Sequence, residues 1–574
     1  MAVHYPKEQM HRISYTKLTR QQIGEKLVAA ARGPGCHSAF SDALAGKTLK
    51  IVTGNGPVLQ YRFDSANSLT LTEGQDAPVQ TGYGALALKQ LLLVSHMVPN
   101  TQRGYQLIID PRTNLATVFE IWFSGYTDNR EVQREIHYGY VDSPGRGAPA
   151  ERHHPTNRLE GKGFYWKQDS GIETLEFYPS VLYSTFVELT RFGGELTFCG
   201  PSDYVRIDDS LNIYSRVECE FSGTMTLYAI DLFTLEQAGV RLGFDENDQL
   251  EYYMFRGKGE MTGQLATFEA FGDNGEKLPG PNNSAPRTKG QRPVYRPLLT
   301  NPPMTREEVD AAVDKHMDLF SPRNPMAGNR PPLSGKLVGK QLTVRYDNGP
   351  AWEYSFDEIK KLRWRRAGES QWREEVYESY EPAEDLFVFS HLRTGTRPMQ
   401  SATVVLDFAN ALTTCVDSWL GTRYMANEVS QNIITGVIEM DGMIAPRYNR
   451  HRFTDELVGH AVTWNYSGTL TSMHVYATPR SASWIIFQNN GSGGLEWSSP
   501  ANYVKLRDDC YLFTWIEEAC NGSQGVIVFN NRTMHDCGFT YHVDKQGLRL
   551  STIGAFARNA GYFDVRKYYG PKQA

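Results

Sequence analysis

The chain has 574 residues, of which 40% are hydrophobic and 22% charged, with 31 Tyr, 27 Phe, 10 Trp, 51 Gly and 29 Pro. This aromatic, turn-rich composition is globular, excludes general disorder, collagen and coiled coil, and at about 100 to 200 residues per domain implies several domains. Lys and Arg number 59 against 65 Asp and Glu, a net charge of -6, so the chain lacks the basic excess that binds nucleic acid by counterion release, and no nucleic-acid partner is expected.

Residues 1–20 are polar and interspersed with His, Lys and Arg. They lack the apolar stretch of a signal peptide, and later apolar runs are too short to span a bilayer. The seven cysteines are an odd number without a CxxC pair, which predicts reduced thiols in a cytoplasmic protein with no membrane association. A helix is predicted over residues 19–32, within an N-terminal extension ending near residue 40.

The chain is internally duplicated. Residues 44–64 (LAGKTLKIVTGNGPVLQYRFD) and 337–357 (LVGKQLTVRYDNGPAWEYSFD) are identical at 10 of 21 positions without a gap. The correspondence continues through His96 and His391, Glu120 and Asp417, and Trp122 and Trp419. Residues 201–239 then align without a gap to 500–538, setting Tyr204 against Tyr503 and Glu218 against Glu517. Leu-X-Gly recurs inside each copy, in LAGKTL at 44, LEGKGF at 159, LVGKQL at 337 and LVGHAV at 457. Four related units are therefore expected, in two tandem modules.

Each unit opens with an alternating strand followed by a turn such as Asn55-Gly56, Asp347-Asn348-Gly349 or Ser467-Gly468, where positive φ angles would make a tight hairpin. Short aromatic and β-branched runs follow at 105–109, 117–122, 226–232, 402–407 and 525–529. Many evenly spaced short strands predict an all-β protein of antiparallel barrels, four in number, with short accessory helices. The boundaries read as barrels at 41–150, 151–272, 336–450 and 451–574, with a Pro-rich linker at 273–335. Inside the linker, Thr305-Arg306-Glu307-Glu308 is a capping box that predicts a helix through His316, with Val309, Ala312 and Val313 at helical spacing.

The opening LVGKQLTVRYDNGPAWEYSF, the VVLD strand, the ending near RKYYG and the paired-barrel organisation resemble the MoaF family, named for an association with molybdenum cofactor biosynthesis. The likeness is best over residues 337–570, and residues 41–272 look like a second, more diverged copy. The resemblance implies lipocalin-like, or calycin, barrels. The chain carries no Gly-rich phosphate loop and no cysteine set for an iron-sulfur cluster, so no cofactor is expected. Barrels of this type elsewhere serve as carriers of apolar ligands and as cofactor-free enzymes, among them phenolic acid decarboxylases and fungal cyclases, an analogy of fold alone.

Candidate catalytic residues are those polar or aromatic in both copies: His391 and His96, Asp417 and Glu120, Glu517, and Tyr503. His391 shares strand parity with Phe387 and Phe389, which would make an aromatic wall for an imidazole acting as acid or base. The competing reading is a histidine bonded to a neighbouring backbone carbonyl. Asp417 shares a face with Trp419, and Glu120 with Trp122. If that face points inward, burial beside indole raises the carboxyl pKa, and if outward the acid is solvated. Glu517 follows Phe513 and Trp515 at every second position, whereas Glu218 follows Arg216, which would hold it in a structural ion pair. Tyr503 and Tyr204, in P-X-X-Y-V, suit a hydroxyl tied to a loop. The scattered His153, His154, His451, His460, His535 and His542 show no ligand spacing, and no metal site is expected.

The leading expectation is a cofactor-independent enzyme of specialised metabolism. It would hold an apolar or aromatic small molecule in a barrel cavity and promote isomerisation, cyclisation or elimination by acid–base help. A carrier or sensor using the same cavity is the alternative, and a structural partner in a biosynthetic assembly is the third. The oligomeric state is open.

Overall fold

The computed structural model describes residues 16–124, 129–191, 194–218, 222–265, 303–422, 425–488, 496–517 and 522–569. The described chain is almost entirely antiparallel β-structure in four consecutive meanders, in which each strand pairs with the next apart from one break in the first. The first, N1, runs from Thr48–Thr53 to Val132–Val141, and the second, N2, from Lys162–Gln168 to Leu250–Leu265. The third, C1, runs from Gln341–Tyr346 to Val429–Glu439, and the fourth, C2, from His460–Ser467 to Gly547–Phe563.

In N2, C1 and C2 the first strand also pairs with the last, so each closes as a barrel. In N1 the first and last strands likewise pair, but the sheet opens between Val79–Gly82 and Gly84–Leu88, which Tyr83 alone separates. Three barrels are thus closed by strand pairing, and the fourth unit is a nine-stranded sheet with an interrupted ladder.

The recurring Leu-X-Gly has one structural meaning in all four units. Gly46, Gly161, Gly339 and Gly459 take φ of 73°, 80°, 82° and 93°, a left-handed conformation that costs glycine least. Each donates its N–H to a carbonyl on the second strand, at Phe63, Tyr178, Phe356 and Tyr476 respectively. The preceding Leu44, Leu159, Leu337 and Leu457 are buried against barrel interiors. The hairpin turns form where Asn-Gly and its relatives predicted them, but Gly56, Gly349 and Gly468 do not adopt positive φ. The connections at 54–58 and 347–350 are too long to need a two-residue turn, whereas the two-residue connection 468–469 is made without a positive φ at Gly468.

Side-chain alternation gives each barrel an inner and an outer face. In C1, Phe387, Phe389, Val404, Leu406 and Cys415 point inward, while Val388, Val405 and Val416 point outward against Leu512, Val526 and Phe539 of C2. N1 packs on N2 in the same way. The two modules meet through N2 and C2: their last strands pair at Gly263–Phe563 and Leu265–Gly561, and Phe177, Val187, Met473 and Phe563 share one apolar cluster.

Both expected helices form. The first spans Arg20–Leu27 and ends in a 3-10 turn, Val28–Arg32. The second spans Arg306–Lys315 with the Thr305–Glu308 capping box in place and Val309, Ala312 and Val313 buried. The later part of the expected linker is more ordered than a spacer. Met317–Leu319 pairs in parallel with Leu548–Leu550, and Asn324 Nδ2 donates to the Thr552 carbonyl, so residues 316–326 form a strap along C2. Residues 266–302 lie outside the described residues. No described helix is long and apolar enough to cross a membrane.

Candidate functional site: the mouth of barrel C2

The strand His535–Asp544 sends Cys537, Phe539, Tyr541 and Val543 outward toward C1. Strict alternation therefore turns Asp536, Thr540 and His542 inward. On the neighbouring strand, Leu548 and Leu550 face outward, which turns Arg549 and Ser551 inward. Glu517 follows the inward Phe513 and Trp515. At this end of the barrel, Glu517, Ser523, Thr540, His542, Arg549 and Ser551 line a cavity of about 530 Å³. The strap covers it with His316, Asp318, Arg323 and Asn324, and Met326 reaches toward the barrel core.

Glu517 is half-buried and accepts hydrogen bonds from Trp515 Nε1 at 3.2 Å and Ser523 Oγ at 3.3 Å. Burial raises its carboxyl above the usual carboxylate range against these two bonds. His542 is pushed down to about 4, chiefly by burial, with Asp544 and Arg549 acting in opposite directions, and its Nδ1 has no hydrogen-bond partner. Arg549 turns toward Gln546, at 2.6 Å, and Asp544, at 3.7 Å.

Beneath the mouth the interior is aromatic. His474 touches Trp464, Phe513 and Trp515 at ring separations of 5.9 to 6.0 Å, and burial pushes it down to about 3. Asp536 accepts one backbone bond, from Ala555 N, while its Oδ2 is unpartnered, and burial raises it well above the ordinary value. The Tyr466 phenol lies in the field of both Asp536 and Glu517. The end of C2 thus combines carboxyls that burial favours in the neutral form with unprotonated imidazoles, a set able to donate and accept protons.

The sister barrel N2 shows why C2 is open. The gapless alignment, carried two residues further, sets Arg241 against Thr540, and strand register sets Tyr253 against Ser551 and Glu251 against Arg549. In N2 the Arg241 guanidinium bonds Glu218 at 2.7 and 3.3 Å and Glu251 at 2.8 Å. Burial would raise Glu218, but Arg241 outweighs it and holds the carboxyl at about 2. The expected structural ion pair at Glu218 is therefore present, but with Arg241 and not Arg216. Arg216 reaches Glu176 at 2.8 Å on the opposite side of the interior, because Arg216 lies one inward step deeper, level with the inward Tyr178 and Tyr214. Thr540 and Ser551 are smaller than Arg241 and Tyr253 and leave space at the mouth, which His542, standing where N2 has Gly243, borders.

The residues singled out in the sequence are divided among all four units. Glu517, Phe513 and Trp515 belong to the C2 site. Tyr503 also lies in C2, but its hydroxyl donates to the Ser481 carbonyl at 3.0 Å, as Tyr204 donates to Tyr183 in N2 at 2.7 Å.

His391, Phe387 and Phe389 pack inside C1. His391 is fully buried, with Nδ1 2.7 Å from the Leu392 carbonyl oxygen and Nε2 3.4 Å from the Tyr354 hydroxyl. Burial and then Arg393 push it down to about 3. Asp417 shares the inner face, with Trp419 half-buried beyond it, and pairs with Arg393 at 2.7 Å. Burial raises Asp417 while Arg393 opposes the shift. The Arg393 guanidinium stacks 4.5 Å from the Trp352 ring centre.

N1 repeats this plan. His96 meets Tyr61 Oη at 3.1 Å and burial lowers it to about 4. Glu120 lies 3.4 Å from His137 and 3.9 Å from Arg103, and the nearby His137 is the main reason its carboxyl is lowered. Trp122 is half-buried on the same face. Among the described residues, no group of three His, Cys, Asp or Glu is placed to hold a metal ion.

Reading by residue type missed Thr540, Arg549, Ser551 and the strap residues, because small or solvated side chains carry no chemical signature alone. The signal lay in the duplication, where a large residue in one copy faces a small one in the other.

Fold and site together define a two-module chain of antiparallel barrels, with three closed ladders among the described residues and a polar cavity at the mouth of C2. Residues 324–422 match the MoaF N-terminal domain and residues 451–561 the MoaF C-terminal domain. The C-terminal module belongs to the MoaF family, with C1 and C2 falling on those two matches in that order. No curated protein matches the chain.

Proposed function

We propose that the protein is a cofactor-independent enzyme that holds a small organic molecule in the mouth of C2 and moves a proton with Glu517 and His542, in an isomerisation, cyclisation or elimination. One observation carries this reading: Glu517 borders an open cavity at the position where the sister barrel is plugged by Arg241. The cavity wall is polar, so the substrate presents its polar end to Glu517 and an apolar or aromatic end toward Met326 and Trp515. A carboxyl raised by burial is suited to protonate a leaving or migrating group, and a neutral imidazole to accept a proton. This chemistry would take place in the cytoplasm, where buried thiols such as Cys415 and Cys537 stay reduced.

The test is to incubate a cellular metabolite extract with the protein and with Glu517→Gln and His542→Gln, and to follow by mass spectrometry the compounds each converts. Loss of about 100-fold or more in turnover with ligand still bound fits the reading. Unchanged turnover in both variants refutes it. Retention of a bound compound without conversion by the unaltered protein turns the assignment to a carrier.

A further inference from the structure

Glu218 and Glu517 occupy the same place in sister barrels, and only one has a counter-cation. In N2 the Arg241 guanidinium sits on Glu218 through two nitrogens, at 2.7 and 3.3 Å, inside a mouth where both side chains are under 10% exposed. In C2, Thr540 replaces that arginine, and among the described residues no Lys or Arg nitrogen lies within 4.0 Å of Glu517, whose hydrogen bonds come from Trp515 and Ser523 alone. Arg549, opposite His542 on the last strand, is engaged with Gln546 and Asp544. A half-buried carboxylate beside a cavity is stabilised in its ionised form by a cation that enters with it out of water.

We infer that the C2 cavity takes a ligand carrying a cationic nitrogen group, an amidinium, guanidinium or ammonium, seated on Glu517 where Arg241 sits in N2. The inference rests on the reading of C2 as the ligand site and adds the ligand's charge; with the cation seated, Glu517 is ionised and its part in proton transfer is that of acceptor. N2 carries a tethered copy of the ligand's head group as its own side chain. Arg323, which is exposed, and Asp318, which is half-buried, line the cavity from the strap.

Benzamidine, benzamide and benzoate share one shape and differ in charge, so their dissociation constants for the full chain, measured by calorimetry, read the charge preference directly. Benzamidine is expected to bind at least about tenfold more tightly than benzamide, and Glu517→Gln to erase that difference. Thr540→Arg, which restores the sister's plug, is expected to abolish benzamidine binding with the circular dichroism spectrum unchanged, and Ser551→Tyr serves the same purpose should Thr540→Arg fail to fold. Equal or tighter binding of benzamide or benzoate, no detectable binding of any of the three, or benzamidine affinity indifferent to Glu517→Gln would each overturn the cation assignment. Proton transfer by Glu517 would still stand on the turnover comparison, which uses no benzene derivative.

Discussion

Arg241 Nη1 lies 2.7 Å from Glu218 Oε1 in barrel N2, and the aligned positions in C2, Thr540 and Glu517, form no such bond. Both glutamates end the same inward row of the same strand, so the barrels differ by what stands opposite. An ion pair that bridges the mouth excludes water and ligand together. A threonine leaves room for both.

Arg241→Ala should therefore destabilise the N-terminal module by about 3 to 5 kcal/mol, since Glu218 would remain buried without its cation. Adding Glu218→Gln should recover a large part of that loss. Urea unfolding of the two variants measures both values, and a single substitution costing no more than a surface change would contradict a buried pair.

His391→Ala should cost about 2 to 4 kcal/mol, because the ring fills the C1 interior against Tyr354, Trp364 and Phe389. Turnover by the folded variant should stay within about twofold, C2 being the proposed site. Acid should act through the same residue. Its folded-state pKa is depressed to about 3, so its contribution is present above the unfolded value near 6.5 and is lost as pH falls from there toward 3. His391→Gln should flatten that part of the stability profile.

Glu496 gives the opposite pH dependence at the junction of the modules. It is fully buried and accepts bonds from Thr185 Oγ1 at 2.6 Å and Ser180 Oγ at 3.2 Å across the N2–C2 interface. Burial raises it to about 7 against those bonds. A raised carboxyl contributes stability that is full below its unfolded value near 4.5 and is lost as pH climbs through 7, about 3 kcal/mol in all. Glu496→Gln should leave the melting temperature unchanged at pH 4.5 and raise it at pH 8, which differential scanning calorimetry at both values will show.

Thr305→Ala should cost about 1 kcal/mol by removing the cap of the helix that leads into the strap. Amide exchange should quicken first in residues 306–319 and leave the C1 strands protected. Uniform quickening across both barrels would show that the helix is part of their core.

Much of this architecture is written in local sequence. Alternation in LFVFSH and VVLD specifies strands with two unlike faces, Leu-X-Gly marks the left-handed turn that starts each unit, and the Thr305–Glu308 box sets a helix start. These depend on neighbours within a few residues, and the duplication shows them twice. Which barrel stays open depends instead on side chains brought together from separate strands. Arg241 lies 23 residues beyond Glu218 in the chain, and Arg216, nearer in sequence and on the same strand, turns to Glu176 instead. The strap that roofs C2 comes from a Pro-rich segment with no alternation, and it finds Leu548–Leu550 only once that strand has left its edge. Sequence alone determined the number of units, their strand character and the glutamate common to both modules. Tertiary structure decided which glutamate is neutralised and which faces a cavity, because the pairing of buried charges is set by distance in space and desolvation.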